Sequence, residues 1–314
     1  MIRCFFVIYK IALLSVALQQ PQRYRARVAY DGAGFHGFQL QPEGKRTVQG
    51  CLEDVLGQRL GQSVRLVGAG RTDTGVHARG QAIHFDLHSP LSEPLSQIEH
   101  SINAMLPTDV CLWNLSLAPT DDTETAQPSQ QYLWNVLYNS VGKLYSYRLC
   151  LAPVMSPLER HHRWHPDSLH GKAVDIPLLQ RLLNYYEGTH DFRAFAGALE
   201  ANQRRSGRTV STVRTVYSAN WIVEDESLGY YRIEFHLQGA LYKQVRNMVG
   251  TAIDASRSII TEEAFLDLLH GSSATIENDH LPKKQQKRRE DNKSKPAPPQ
   301  GLTLEHVYFD EEEF

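Results

Sequence analysis

The sequence predicts an α+β protein built from two successive halves, and two observations support this prediction. Between residues 23 and 117, an alternating strand pattern is followed by a helical pattern and then by further strand patterns. Between residues 145 and 309, strand and helix patterns return in a comparable mixed order. Mixed orders of this kind are typical of helices that pack on a sheet. The two halves suggest a duplicated architecture, although no residue-level repeat joins them.

The first half opens with a strand and a helix. Residues 23–30 alternate between tyrosine or aliphatic side chains and arginines, as in a strand with one polar face. An Asp-Gly pair then ends the strand in a turn. Residues 48–60 place apolar side chains at helical spacing, and Thr47 stands where a helix N-cap is expected. The other predicted elements of this half are strands at 64–67, 81–87 and 110–117 and a polar connection near 98–105.

The second half repeats the same two kinds of pattern. Alternation with β-branched and aromatic residues predicts strands, and apolar residues three or four positions apart predict helices. The predicted strands are 145–151, 209–217, 230–237 and 302–309, and the predicted helices are 176–186 and 241–256.

Changes of composition divide the chain into segments. Residues 1–22 contain cations but no acid, so we predict an N-terminal extension and possible targeting segment. Its apolar stretch is too short to span a bilayer, and no membrane partner is expected. Location in an organelle (mitochondrion or plastid) or in the cytoplasm stays open. The other predicted segments are a first half at 23–118, an insertion or linker at 119–142, a second half at 143–309 containing a basic disordered insertion at 278–300, and an acidic tail at 310–314.

Composition is that of an ordinary folded protein. The chain has 314 residues, of which 41% are hydrophobic and 22% charged, which argues against disordered, collagen-like and coiled-coil classes. The formal net charge of −2 hides a basic run at 283–295 and acidic residues that follow it. Charge therefore neither indicates nor excludes a polyanionic partner. Four cysteines without a C-x-x-C pair argue against a zinc ribbon or a dithiol site.

The most concentrated signal is a glycine-rich segment between two predicted strands. Residues 68–78 are GAGRTDTGVHA. A P-loop is excluded because Val76 and His77 stand where lysine and serine or threonine must reach phosphate and magnesium. A dinucleotide fingerprint is excluded because Asp73 occupies the third glycine position and no helix is predicted to follow.

One carboxylate, Asp73, therefore lies on a glycine-flanked loop beside the cation of Arg71 and the imidazole of His77. In this setting an aspartate can be a nucleophile at an electrophilic carbon or a general base. It can also be a turn former that bonds its own backbone. The residues alone leave these alternatives open.

Residues 70–78, taken with several other motifs along the chain, resemble the TruA-type tRNA pseudouridine synthases. GRTDTGVHA is similar to the signature of that family, and the resemblance extends over about residues 24–309. The supporting motifs are YDG at 30–32, TVQ at 47–49, GQAIHF at 80–85, KLYSY at 143–147, GTHDF at 188–192, RT at 214–215 and VRNMVG at 245–250.

The resemblance implies a fold and an activity. The expected fold is the pseudouridine synthase fold, in which two ferredoxin-like halves share a central, mainly antiparallel sheet with a cleft between them. The expected activity is isomerisation of uridine to pseudouridine in the anticodon stem-loop of tRNA, without cofactor or catalytic metal. The expected partners are tRNA and, in a homodimer, a second copy of the chain.

The resemblance also implies roles for five residues. Asp73 matches the catalytic aspartate, Arg246 the arginine that pairs with it, and Tyr145 the tyrosine of the uracil pocket. Arg71 is a candidate for filling the place of the displaced base or for holding phosphate, and His77 for a further substrate contact. An ionised carboxylate complements positive charge that develops at C1′. An aromatic face can receive an unstacked base.

One departure from the family pattern motivates an alternative. Leu137 stands where the family usually carries an arginine, so a cation that contacts RNA is lost. The alternative is a catalytically weak or inactive tRNA-binding protein or chaperone of the same fold. A nucleoside hydrolase or glycosidase would need a second carboxylate at a defined separation, and no motif supplies one.

Two clusters of basic residues complete the candidates. His161, His162, His165 and His170 have no recognised ligand spacing and no cysteine partners, so no metal site is predicted. Arginines near the predicted strand 209–217 either follow tRNA phosphates or form a solvated face. These arginines are Arg204, Arg205, Arg208 and Arg214.

Overall fold

The computed structural model describes residues 21–42, 44–119, 134–166, 172–207, 209–271 and 287–310. Within these ranges nine strands belong to one sheet. The strands are β1 (Gln22–Tyr30), β2 (Leu66–Gly68), β3 (His77–Leu87), β4 (Val110–Leu117), β5 (Ser140–Cys150), β6 (Gly188–Asp191), β7 (Val213–Asp225), β8 (Tyr230–Leu237) and β9 (Leu302–Phe309). The helices are α1 (Val48–Leu60), α2 (Leu95–Met105), α3 (Ile176–Tyr185), α4 (Leu199–Ser206), α5 (Gln244–Ser256) and α6 (Glu262–His270).

The sheet joins the two halves through one parallel contact. Its strand order is β4-β1-β3-β9-β5-β8-β7-β6, and β2 pairs with β3 beside this path. β3 and β9 run parallel, with His77 opposite Thr303, whereas the other described pairs are antiparallel. The mixed α+β architecture with a mainly antiparallel sheet confirms the predicted fold class.

Local sequence signals account for the first elements. In β1 the apolar residues of the alternating pattern are buried, and Tyr24 stacks on Phe85 of β3 with ring centroids 5.8 Å apart. The Thr47 hydroxyl accepts a hydrogen bond from the Gly50 N–H and so caps α1, as predicted. Helix α1 ends at Gly61, whose φ of 65° is the left-handed conformation that glycine adopts without strain.

The structure differs from the sequence prediction at several elements. The polar connection predicted near 98–105 is wrong, because these residues belong to α2, with Ile98 and Ile102 buried. Strand β3 begins at His77, four residues before the predicted start. The short strand β6 and the helices α4 and α6 were not predicted.

The predicted basic insertion is packed in its second part. Asn292, Ser294 and Ala297 are buried, and the Ala297 N–H donates to the Arg246 carbonyl of α5. The prediction of a disordered insertion is therefore wrong for residues 287–300, while 278–286 lie outside the described residues. Residues 1–20, 120–133 and 311–314 lie outside them too, so the extension, most of the linker and the acidic tail stay predictions. Among the described helices, none is sufficiently long and apolar to cross a membrane.

Candidate active site

The GRTDTGVHA segment forms a loop between β2 and β3 that is fixed by backbone hydrogen bonds. The Phe38 N–H donates to the Thr72 carbonyl at 3.1 Å, and the Val76 N–H donates to the Asp73 carbonyl at 3.1 Å. Gly37 approaches this loop so closely that a Cβ there would lie 2.9 Å from the Thr72 oxygen, and its φ is +96°. Glycine is required at that position, because a side chain would push the loop away.

Asp73 pairs with Arg246 at this loop. The Arg246 guanidinium nitrogen Nη1 lies 2.8 Å from Asp73 Oδ2, and the two side chains are only 12% and 17% exposed. Arg246 Nε donates to the Ala297 carbonyl at 2.7 Å, which holds the guanidinium from behind. Arg246 lies in the first turn of α5, where the positive end of the helix dipole favours a nearby anion. The geometry supports an ionised, oriented carboxylate.

Tyr145 lies in the middle of β5 and borders the same pocket as Asp73. Its side chain is buried, and this burial is the largest of the effects that raise the pKa of its phenol. The nearby charges of Tyr30 and Asp73 raise that pKa further. The ring therefore presents a neutral aromatic surface beside the carboxylate at ordinary pH. The neighbouring Tyr30 hydroxyl lies 2.8 Å from the Thr72 hydroxyl, which links β1 to the loop.

The pocket around Asp73 is small in this conformation. Its free volume is about 40 Å³, which is room for a few water molecules but not for a nucleobase. Arg71 is exposed and, within the described part of the chain, has no hydrogen bond or ion pair. A nucleobase therefore needs more room than the pocket offers in this conformation. The pocket is lined among others by Arg71, Asp73, Tyr145, Leu241, Lys243 and Arg246.

His77 is not brought into this pocket. Its ring faces a separate open cleft of about 460 Å³ that also borders Arg79 and Arg148. The Gly32 N–H donates to His77 Nδ1 at 3.1 Å, and burial lowers the pKa of the imidazole. His77 therefore does not lie beside Asp73, and its observed contact is with the turn after β1. The substrate contact of His77 stays a prediction.

His77 is also part of the one cluster with metal-ligand spacing among the described residues. Ligand atoms of Asp31, His77 and His162 lie within 4.8 Å of one another. The Nδ1 lone pair of His77 is already engaged by the Gly32 N–H, and its Nε2 is buried without a hydrogen-bond partner. A cation at Nδ1 would have to displace the Gly32 N–H. The absence of a metal site stays a prediction, and His170 lies outside the described residues.

Comparison with known proteins identifies the family of this chain. A family model described as tRNA pseudouridine synthase matches residues 26–139 and 182–310. The chain belongs to the tRNA pseudouridine synthase family. A protein of Latilactobacillus sakei called tRNA pseudouridine synthase A is 34% identical over 289 residues, which cover 92% of this chain and 99% of that one. Its namesake from Geobacillus kaustophilus is 34% identical over 293 residues, with coverage of 93% and 96%.

Of the residues expected from this tRNA pseudouridine synthase family, four converge. Arg71, Asp73, Tyr145 and Arg246 border one pocket, although Tyr145 and Arg246 come from the second half and the other two from the first. Leu137, where the family usually has arginine, is 48% exposed before β5 and does not line the pocket. The departure from the family pattern therefore leaves the Asp73–Arg246–Tyr145 geometry intact.

Three residues at or beside the site had no predicted role. Thr72 bonds Tyr30, and the Lys143 ammonium donates to the Ala69 carbonyl at 2.7 Å. Lys243 borders the pocket with a φ of +58°, a strained value for a residue with a side chain. Thr72 and Lys143 belong to the sequence motifs that carry Asp73 and Tyr145. Their closeness in sequence to those two residues was the signal that could have identified them. No sequence signal marked Lys243.

Proposed function

We propose that this chain isomerises uridine to pseudouridine in tRNA, and that its target uridines lie in the anticodon stem-loop. The observation that supports this best is the Asp73 carboxylate, held at 2.8 Å by Arg246 in a pocket that Tyr145 borders. The family and the relatives named tRNA pseudouridine synthase A support the reaction and the substrate class. The anticodon stem-loop rests on the resemblance alone.

The reaction breaks one bond to the sugar and makes another. The glycosidic bond between C1′ and N1 breaks, the uracil turns in the site, and C5 bonds to C1′. C5 then loses its proton and N1 gains one, so the product is an isomer of the substrate. No electrons or groups pass to another molecule, and the family resemblance implies that the reaction needs no cofactor.

The chemistry needs an anion next to the ribose. Cleavage at C1′ develops positive charge on the sugar, and a preoriented carboxylate stabilises that charge. Attack on C1′, addition to the base and deprotonation of the sugar all employ the same Asp73. Arg246 acts as a positioning residue, because it fixes one oxygen of a carboxylate that borders the pocket.

Two further side chains bind the displaced nucleotide. A base must leave its stack before chemistry at its glycosidic bond, and Tyr145 offers a buried aromatic face to receive it. Arg71, unpaired within the described residues, fills the place that the base leaves or binds a phosphate. A homodimer in which one tRNA contacts both subunits remains a prediction, measurable by light scattering with and without tRNA.

The test is pseudouridine formation in unmodified tRNA by the purified protein. Wild type, Asp73→Asn and the control Asp54→Asn, an exposed carboxylate of α1, are compared by pseudouridine-specific chemical mapping of the anticodon stem-loop. We expect product from wild type and control and none from Asp73→Asn. A folded wild-type protein that binds tRNA without forming product would instead support the binding-only alternative. Release of free uracil would support a hydrolase.

A further inference from the structure

Lys143 places a positive charge next to the loop between β2 and β3 that carries Asp73. It precedes Tyr145 by two residues in β5, so the two side chains share one face of the sheet. Its ammonium donates to the Ala69 carbonyl at 2.7 Å and lies 3.1 Å from where a Cβ on Gly70 would stand. The charge is therefore one residue away from Arg71 and adjacent to the pocket.

Arg214 of β7 lies on the same face of the sheet as Lys143. Lys143 is opposite Leu237 of β8, and Leu237 is opposite Val216 of β7. Because Arg214 is two residues from Val216, its side chain lies on the same sheet face as Lys143. The Arg214 guanidinium donates to the carbonyls of Ser211 and Val213 at 2.9 and 2.6 Å, which fix its position near the start of the strand.

These two cations lie two strands apart on one face of the sheet, and neither has an acidic partner among the described residues. Both side chains are half-buried. Burial first, and then the charge of Arg214, lower the pKa of Lys143 to about 8. Within the part of the chain that the structure describes, no carboxylate forms an ion pair with either residue. Holding two like charges together out of water costs free energy, and a bound anion removes that cost.

We propose that Lys143 and Arg214 together bind one backbone phosphate of the substrate RNA, next to the target uridine. The inference rests on the proposed function, because it assumes an RNA whose uridine enters the Asp73 pocket. A phosphate is the group that suits the site, since it carries the missing negative charge and accepts hydrogen bonds from an ammonium and a guanidinium at once. Contact at this position would hold the flipped nucleotide by its backbone while Tyr145 receives the base.

The experiment replaces single phosphates of an anticodon stem-loop RNA with neutral methylphosphonates around the target uridine. For wild type we expect one linkage at which the replacement weakens binding about tenfold, the size of one charge-assisted contact. Lys143→Met and Arg214→Gln should bind the unmodified RNA about tenfold more weakly, with a salt dependence reduced by about one phosphate. At that linkage the methylphosphonate should then weaken their binding by less than it weakens wild-type binding, because one of the two contacts is already lost.

Controls separate this role from a purely structural one. Arg181→Gln changes an exposed cation of α3 and should keep the wild-type pattern, while Lys143→Arg should restore affinity for the unmodified RNA. If Lys143→Met loses its fold in thermal unfolding, Arg214→Gln alone decides, because Arg214 bonds only nearby carbonyls.

Equal losses in wild type and variants at every methylphosphonate would overturn the proposal and leave Lys143 as a brace for the loop. The pseudouridine content of the unmodified RNA is measured in the same samples. Absence of pseudouridine with wild type would refute the proposed function itself, so the two failures are distinguishable.

Discussion

Replacing Arg246 by methionine should lower both the stability of the protein and the turnover of its substrate. The guanidinium bonds Asp73 Oδ2 at 2.8 Å and the Ala297 carbonyl at 2.7 Å. Methionine keeps much of the side-chain volume but makes neither hydrogen bond. Without Arg246 the carboxylate loses its partner and its fixed orientation toward the pocket.

The size of the effect follows from the geometry. Two unit charges about 4 Å apart attract each other by about 4 kcal/mol at an effective dielectric constant of about 20. Arg246 and Asp73 keep 12% and 17% exposure, so water screens part of this, and we expect a coupling free energy of about 2 kcal/mol. If the same free energy is lost from the transition state, turnover falls about thirtyfold.

A double-mutant cycle measures that coupling. The free energy of unfolding is obtained from urea titrations of wild type, Arg246→Met, Asp73→Asn and the double variant. Single-turnover pseudouridine formation by Arg246→Met gives the kinetic effect, and Arg246→Lys should fall between wild type and methionine. A coupling below about 0.5 kcal/mol, together with turnover within about threefold of wild type, would refute the reasoning.

Three further expectations follow from packing, ionisation and stacking. Gly32→Ala puts a Cβ 2.0 Å from the Val76 oxygen and should cost more than about 3 kcal/mol in urea unfolding. Gly57→Ala in α1, where the nearest atom is at 3.5 Å, should gain about 0.5 to 1 kcal/mol. Burial first, then Arg23, lowers the pKa of His84 to about 4. Between pH 6.5 and 4 the His84 imidazole is therefore protonated in the unfolded chain but neutral in the folded protein. The free energy of unfolding should fall by up to about 3 kcal/mol as the pH is lowered over this range. His84→Gln should remove most of that slope in urea titrations across this pH range, and an unchanged slope would contradict the assignment. Tyr145→Leu should lower kcat/KM for tRNA by about 5- to 150-fold, which corresponds to the loss of about 1 to 3 kcal/mol of stacking free energy for one base. A decrease below about twofold would exclude stacking on this ring.

Local order was predictable wherever one signal dominated. Strand β1, the Thr47 cap and strand β9 follow from alternation and capping chemistry within a few residues of sequence. Helix α2 (Leu95–Met105) was missed because its N-cap residue, Pro94, makes no side-chain cap bond. Apolar residues at positions 95, 98, 102 and 105 do recur at helical spacing, so the periodic signal was present in the sequence and was not recognised.

The site was predictable in its residues but not in its geometry. Asp73 and Arg246 are 173 positions apart, so only the family resemblance suggested their pairing. The predicted strand began at residue 81, so it did not include His77. The alternation of side chains along β3, which decides the face on which His77 lies, therefore could not be applied to it. The link from Lys143 to the Ala69 carbonyl depends on how the two halves meet across β3 and β9. Such long-range contacts lie beyond local patterns.

The place of β9 in the sheet has a consequence for biosynthesis. This strand lies between β3 and β5, so a nascent chain that has emerged only as far as residue 300 leaves the start of β3 and a long edge of β5 unpaired. Open edges recruit other chains, and pairing distant strands is slow. The segment that holds the Arg246 guanidinium at Ala297 leads directly into β9. Arg246 therefore gains its contact with the Ala297 carbonyl only when the segment that leads into β9 has docked, and before that step the edge of β5 is open to pairing with other chains.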